Sequence, residues 1–143
     1  MDTIKNVIQN GYQIINKLSQ NYFLNEGDID KQQYWSNQFQ QEFIRHSTAE
    51  EIILLPQYEK YDITNQNEHD HQQMKNLLFL LETTTITDPQ YHLTFDRLIQ
   101  KFHKHIQREL NVNLPKLEEV LTSDQNSTLA HEFRETKYSS QLK

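Results

Sequence analysis

Cysteine is absent from the 143 residues, which excludes disulfide frameworks, thiolate zinc or iron–sulfur ligation, and cysteine nucleophiles. Any metal held by side chains must be held by His, carboxylate or Tyr. Glycine occurs twice and proline three times, too few for a turn-rich sheet. The abundant residues are Gln, Asn, Leu, Glu and Lys, which favour long helices. Clustered positive charge is missing too: the formal net charge is −6, and without a Lys/Arg patch nothing drives binding to nucleic acid or to an anionic membrane surface. No apolar run is long enough to span a bilayer, and MDTIKNVIQNGYQII at the start lacks the apolar stretch of a signal peptide. The expectation is a cytoplasmic, all-α protein with one core.

The apolar period is helical almost throughout. Ile4, Val7, Ile8, Ile15, Leu18 and Tyr22 form the stripe of a first helix, ended by the breaker Asn25–Asp28. A second helix is predicted from about Asp30 to about Tyr61, with a kink or tightened turn at Pro56. A third starts near Asn65, carries Met74, Leu77, Leu78 and Leu81, and ends in the β-branched stretch Thr83–Thr87. Asp88 and Pro89 read as N-cap and first residue of a fourth, which passes Pro115 to reach about Leu121. Residues 1–122 are thus predicted to form an up-down-up-down four-helix bundle. Residues 123–143 form a C-terminal extension: a polar break at Ser123–Ser127, a short helical segment with Leu129, Ala130 and Phe133, and a frayed end.

One pattern occurs twice. FxxHxxxExxxxLPxxE is spelled by Phe43, His46, Glu50, Leu55, Pro56 and Glu59, and again by Phe102, His105, Glu109, Leu114, Pro115 and Glu118, each displaced by 59 residues. Residues four apart share a helix face, so each HxxxE aims an imidazole and a carboxylate in one direction. Two such pairs facing each other make a metal cage. The displacement extends to the other helices, since it places Met74 on Ile15, Leu77 on Leu18 and Leu81 on Tyr22, apolar on apolar. It also places His71 on Tyr12, so if His71 points into the bundle, Tyr12 should as well. Imidazole with carboxylate suits iron, zinc, manganese or nickel. The spacing differs from the Glu-x-x-His arrangement of ferritin-like bundles.

These residues carry a resemblance. RHSTAEEIILLPQYEK (Arg45–Lys60), EHDHQQMKNLL (Glu68–Leu78), the second HxxxE with LPKLEE (Leu114–Glu119), and a tail with Leu129, Ala130, Phe133, Thr136 and Lys137 make the chain similar to hemerythrin-like, HHE cation-binding domains of the fungal type. The resemblance covers nearly the whole chain. It implies a four-helix bundle holding two non-haem iron atoms. Glu50 and Glu109 would bridge them, with His46 on one iron and His71 with His105 on the other. It also implies a small ligand, namely oxygen, peroxide or nitric oxide, or a role in buffering or sensing iron.

The chain departs from that family in two places. No histidine precedes His46, where the family has one in its first helix, often as an Asp-His pair; the repeat offers Tyr12, beside Asn10 and Gly11. In the third helix, His71 is followed at a spacing of four by Lys75 rather than a second histidine. Tyr12 is therefore expected to face the metal, as a phenolate ligand or as a hydrogen-bond donor to Glu50 or Glu109. His69, His92, His103 and His131 lack partners at ligand spacing and are assigned to the surface or its boundary, and Glu51 and Glu119 to a solvated face. Trp35, Phe39 and Phe43 read as ordinary core. No nucleophile with its base is evident. The competing expectation is a bundle that lost metal binding with its first-helix histidine and serves as a scaffold.

Overall fold

The computed structural model describes residues 2–63 and 67–139. Helix α1 (Ile4–Leu24) starts at Thr3, whose side chain accepts from the Asn6 amide, and stops at a turn containing Gly27 at φ 91°. A left-handed residue there ends the helix, and glycine adopts that conformation without strain. Asp28 caps α2 (Ile29–Ala49) by accepting from the Lys31 amide. Helix α4 (Asn67–Thr83) carries the third stripe; its expected start near Asn65 lies outside the described residues. Asp88 accepts from the Gln90 amide and Pro89 opens α5 (Pro89–Arg108), as the sequence predicts.

Both Leu-Pro sites interrupt their helices in the same way. Glu50–Leu54 and Glu109–Asn113 are π-helical turns in which the Leu55 and Leu114 amides reach back to the carbonyls of Glu50 and Glu109. Short α-helices continue each rod, α3 (Leu55–Lys60) and α6 (Leu114–Val120), with the proline in the first turn. A proline inside an α-helix clashes with the carbonyl four residues earlier and offers no amide to it. Widening the turn by one residue removes that conflict, so the predicted kink or tightened turn is instead a wider one. Each π turn begins at a glutamate of the repeated motif.

The two rods α2–α3 and α5–α6 with α1 and α4 form the four-helix bundle; α1 packs along α2, and α4 along α5. Its core holds Ile8, Ile15, Tyr22, Phe39, Phe43, Phe95, Leu98 and Phe102, all buried, with Tyr22 and Phe95 stacked at 3.8 Å. Met74 and Leu81 are buried like their counterparts Ile15 and Tyr22. Trp35 is partly buried against this core. The polar stretch predicted as a break at Ser123–Ser127 is instead the start of α7 (Ser123–Lys137). Thr122 and Gln125 form a reciprocal capping box, which satisfies the first amides of a helix whose opening residues are themselves poor helix formers. Helix α7 packs on α1, α2 and the first π turn through Leu129, Ala130 and Phe133. Asn126 Oδ1 accepts from the Ile4 amide at 2.7 Å, tying it to the start of α1. The expected fraying at the chain end falls largely on residues 140–143, outside the described residues. Among the described residues no helix is long and apolar enough to cross a membrane.

Candidate metal centre

The π turn that follows α2, the first turns of α4 and the last turn of α5 bring Glu50, His71 and His105 together. One donor atom from each lies within 4.8 Å of the other two, and all three residues are buried. Glu50 Oε2 is 3.0 Å from His71 Nε2 and 3.3 Å from His105 Nε2. Glu109 stands beside them, 3.8 Å from His105 Nε2 and fully buried, with Tyr58 donating to its Oε2 at 3.3 Å. The far nitrogen of each histidine has a carboxylate behind it: Glu51 lies 3.2 Å from His71 Nδ1, and Asp70 lies 3.2 Å from His105 Nδ1. Lys75 and Arg108 in turn hold Glu51 and Asp70, at 2.7 Å each. A carboxylate accepting from Nδ1–H leaves the Nε2 lone pair facing inward, the arrangement metal-ligating histidines need. Lone pairs on two imidazoles and a carboxylate then converge, which suits a cation between them.

The charged groups of the cluster act strongly on one another. Burial opposes charge on His105, but Asp70, Glu50 and Glu109 outweigh it and raise its pKa to about 10. Burial also works against ionised Glu50, yet His46, His105 and His71 hold its pKa well below the usual carboxylate value. Glu109 goes the other way, pushed well up by burial and by the neighbouring Glu50 carboxylate. Two carboxylates this close do not both ionise easily. A metal ion held here would take the place of protons on His105 and Glu109, since ligands must be deprotonated to bind.

The side facing His46 is built differently. His46 Nε2 lies 2.7 Å from Glu50 Oε1, and both residues are 1% exposed. What stands behind its Nδ1 is Gly11 of α1: a Cβ at that position would fall 2.6 Å from Nδ1 and 3.1 Å from Lys137 Nζ. Lys137, from the last turn of α7, is buried and paired with Glu42 at 3.2 Å. Burial lowers the pKa of His46; Glu50 raises it, and Lys137 adds to the lowering.

Five of the six residues picked from the sequence, His46, Glu50, His71, His105 and Glu109, meet in this region. The sixth does not. The Tyr12 ring leans on Phe102 at 5.9 Å and His103 at 5.7 Å, and makes no hydrogen bond among the described residues. Neighbouring helix positions diverge by 100°, and it is Gly11 that faces His46. A phenol also projects further than the imidazole it replaces in the repeat. His69 and His131 are exposed as expected, and His92 and His103 lie at the boundary, bonded to Tyr22 and Asn16. Glu119 is solvated, but Glu51 is not merely surface, since it orients His71. Sequence reasoning missed Asp70, Tyr58, Lys137 and Glu42. For Asp70 a signal existed: it forms with His71 the Asp-His pair that the first helix lacks.

A helical bundle with a buried histidine–carboxylate cluster at the π turns of its rods is a metal-binding architecture. The chain belongs to the hemerythrin HHE cation-binding domain family, whose model matches residues 6–127. It is also similar to an uncharacterized hemerythrin-like protein of Schizosaccharomyces pombe, 31% identical over 116 residues, or 77% of this chain. The chain spans 57% of the length of that relative. No solved structure matches it. Cation binding is the property the family name carries, and the cluster around Glu50 is where this chain can supply it.

Proposed function

We propose that the protein is a non-haem iron protein whose metal is held by Glu50, His71 and His105, with Glu109 as a further carboxylate donor. The observation that carries this is the converging set of three buried donors, two of them histidines held in the ligating tautomer by carboxylates at Nδ1. Zinc or another divalent ion satisfies the same donors, so iron rests on the family resemblance. Bound iron would supply an electron-rich centre for oxygen, peroxide or nitric oxide. An open cavity of about 820 Å³, lined by His71, Tyr58, Glu51 and Lys75 among others, reaches the cluster from outside. It gives a small ligand or an entering cation a path. The roles open to such a site are carriage or sensing of a small ligand and buffering of iron.

Metal analysis of protein purified without an affinity tag tests this. Iron should be retained, and added metal should raise the melting temperature, because an ion bound to the native state stabilises it by mass action. Protein with no metal, and a melting temperature indifferent to iron and zinc, would sink the proposal.

A further inference from the structure

The donor set fits one ion well and a second ion poorly. The second position of a carboxylate-bridged pair would draw on His46 Nε2, Glu50 Oε1 and Glu109 Oε1, three buried atoms without hydrogen-bond partners. Taken alone, those atoms would welcome a cation. Three other features oppose it. The mutually close cluster of donors comprises Glu50, His71 and His105; His46 and Glu109 both lie outside it, and His46 meets it only through Glu50. The first helix contributes no donor: Gly11 faces His46 and Tyr12 leans away on Phe102 and His103. Finally, a positive charge stands close behind the His46 ring. The Lys137 ammonium, 4% exposed, comes within 3.1 Å of where a side chain at position 11 would begin, on the Nδ1 side of His46.

The internal repeat shows what that ammonium has replaced. Displaced by 59 residues, Asp70 falls on Gly11 and His105 on His46. In the second half, Asp70 accepts from His105 Nδ1 and fixes Nε2 as a ligand. In the first half no acceptor reaches His46 Nδ1, and the charge near it is positive. An ammonium has no lone pair to accept a ring proton, so the imidazole keeps its proton more readily on Nε2, toward Glu50. Nε2 lies 2.7 Å from Glu50 Oε1, so a hydrogen on it would point toward the carboxylate and leave no lone pair there for a metal.

Building on the metal-binding function proposed above, we infer that this bundle holds one metal ion rather than a bridged pair, and that the Lys137 ammonium of α7, standing behind His46 where the repeat has a carboxylate, opposes the second cation. Glu42 anchors the ammonium, and Gly11 leaves the room for it. Helix α7 is then part of the site and sets how many ions it takes.

The test is anaerobic equilibrium dialysis of the tag-free full chain against iron(II) and, separately, cobalt(II), with metal per chain counted by mass spectrometry and the cobalt form examined by electron paramagnetic resonance. Wild type should saturate at one ion with the signal of an isolated centre. The charge-neutral pair Lys137→Met with Glu42→Gln should take up a second ion and show exchange coupling. Two coupled ions in wild type would overturn the inference and leave the metal-binding function standing. No bound ion in wild type would overturn both. One ion in wild type and in a folded double variant would refute the role given to Lys137; a melting curve of the variant establishes that it is folded.

Discussion

Behind the His105 ring stands Asp70; behind the His46 ring, 59 residues earlier in the same repeated pattern, stands Gly11. The rods that carry the two histidines are alike to the residue, each with HxxxE, a π turn at the glutamate and a Leu-Pro restart. What differs is supplied by α1 and α4. Helix α4 brings a histidine and a carboxylate to the centre, whereas α1 brings neither and α7 fills the gap with a lysine. On the one-ion inference, an HxxxE motif on its own does not make a ligand. The group behind the far ring nitrogen decides whether the near one can give its lone pair to a metal.

The largest effect expected from this asymmetry comes from truncating the equivalent histidines in turn. His105→Ala should abolish metal retention, while His46→Ala should keep the ion, read as metal per chain after gel filtration. Equal losses in both would erase the difference between the halves. A smaller effect follows from Asp70→Asn, which keeps shape but weakens the hold on His105 Nδ1; metal affinity should fall by about 10–100-fold, measured by competition with a chelator.

Acidity sharpens the same contrast. In metal-free protein the pKa of His105 is raised to about 10 while an unfolded histidine titrates near 6.5. The native state then holds a proton that the unfolded chain has lost, so this contribution to stability is full below about pH 6.5 and disappears as pH rises toward about 10. Glu109, also raised, adds in the same direction from its lower ordinary value upward. His46, lowered mainly by burial, acts oppositely: its contribution is lost as pH falls through the ordinary histidine range. Melting temperatures of chelator-treated protein should therefore decline between about pH 6.5 and 10. Loading with metal should flatten or reverse the decline, since the ion takes the place of those protons.

The smallest effect concerns Gly11. Alanine is preferred to glycine inside a helix by about 1 kcal/mol. Overpacking a buried site costs about 1–3 kcal/mol, and the new Cβ would meet a buried imidazole at 2.6 Å. The second term is the larger, so Gly11→Ala should destabilise by about 1 kcal/mol in chemical denaturation, and a stabilised variant would show that His46 and Lys137 are loosely held.

Much of this was legible in the chain itself. The bundle followed from apolar period and turn residues, and the candidate donors His46, Glu50, His105 and Glu109 from a motif repeated in register, because four-residue spacing is a local property of a helix; His71 came from the family resemblance. The partners that orient the ligands were harder to see. Glu51 meets His71 and Lys137 meets Glu42 only through helix packing, and no local spacing encodes such pairs. The repeat matched Tyr12 to His71 by position, but Tyr12 packs on Phe102 and His103, and it is its neighbour Gly11 that faces His46. Ser123–Ser127 looked like a break because its residues favour caps, and a capping box is what they make.

Each π turn holds one residue more than an α turn, so it works as a phase shifter within its rod. Residues before Glu50 keep one angular register and those after Leu54 another, rotated by about 100° from where a straight helix would put them. Tyr58 lies beyond the shift and still reaches Glu109 on the opposite rod, which carries an equal shift of its own. Losing a single residue from one of these turns would leave His46 and Glu50 in place and swing Tyr58 off the carboxylate it holds. The two rods are keyed to each other by matched insertions, and a change of length in either has to be answered in the other.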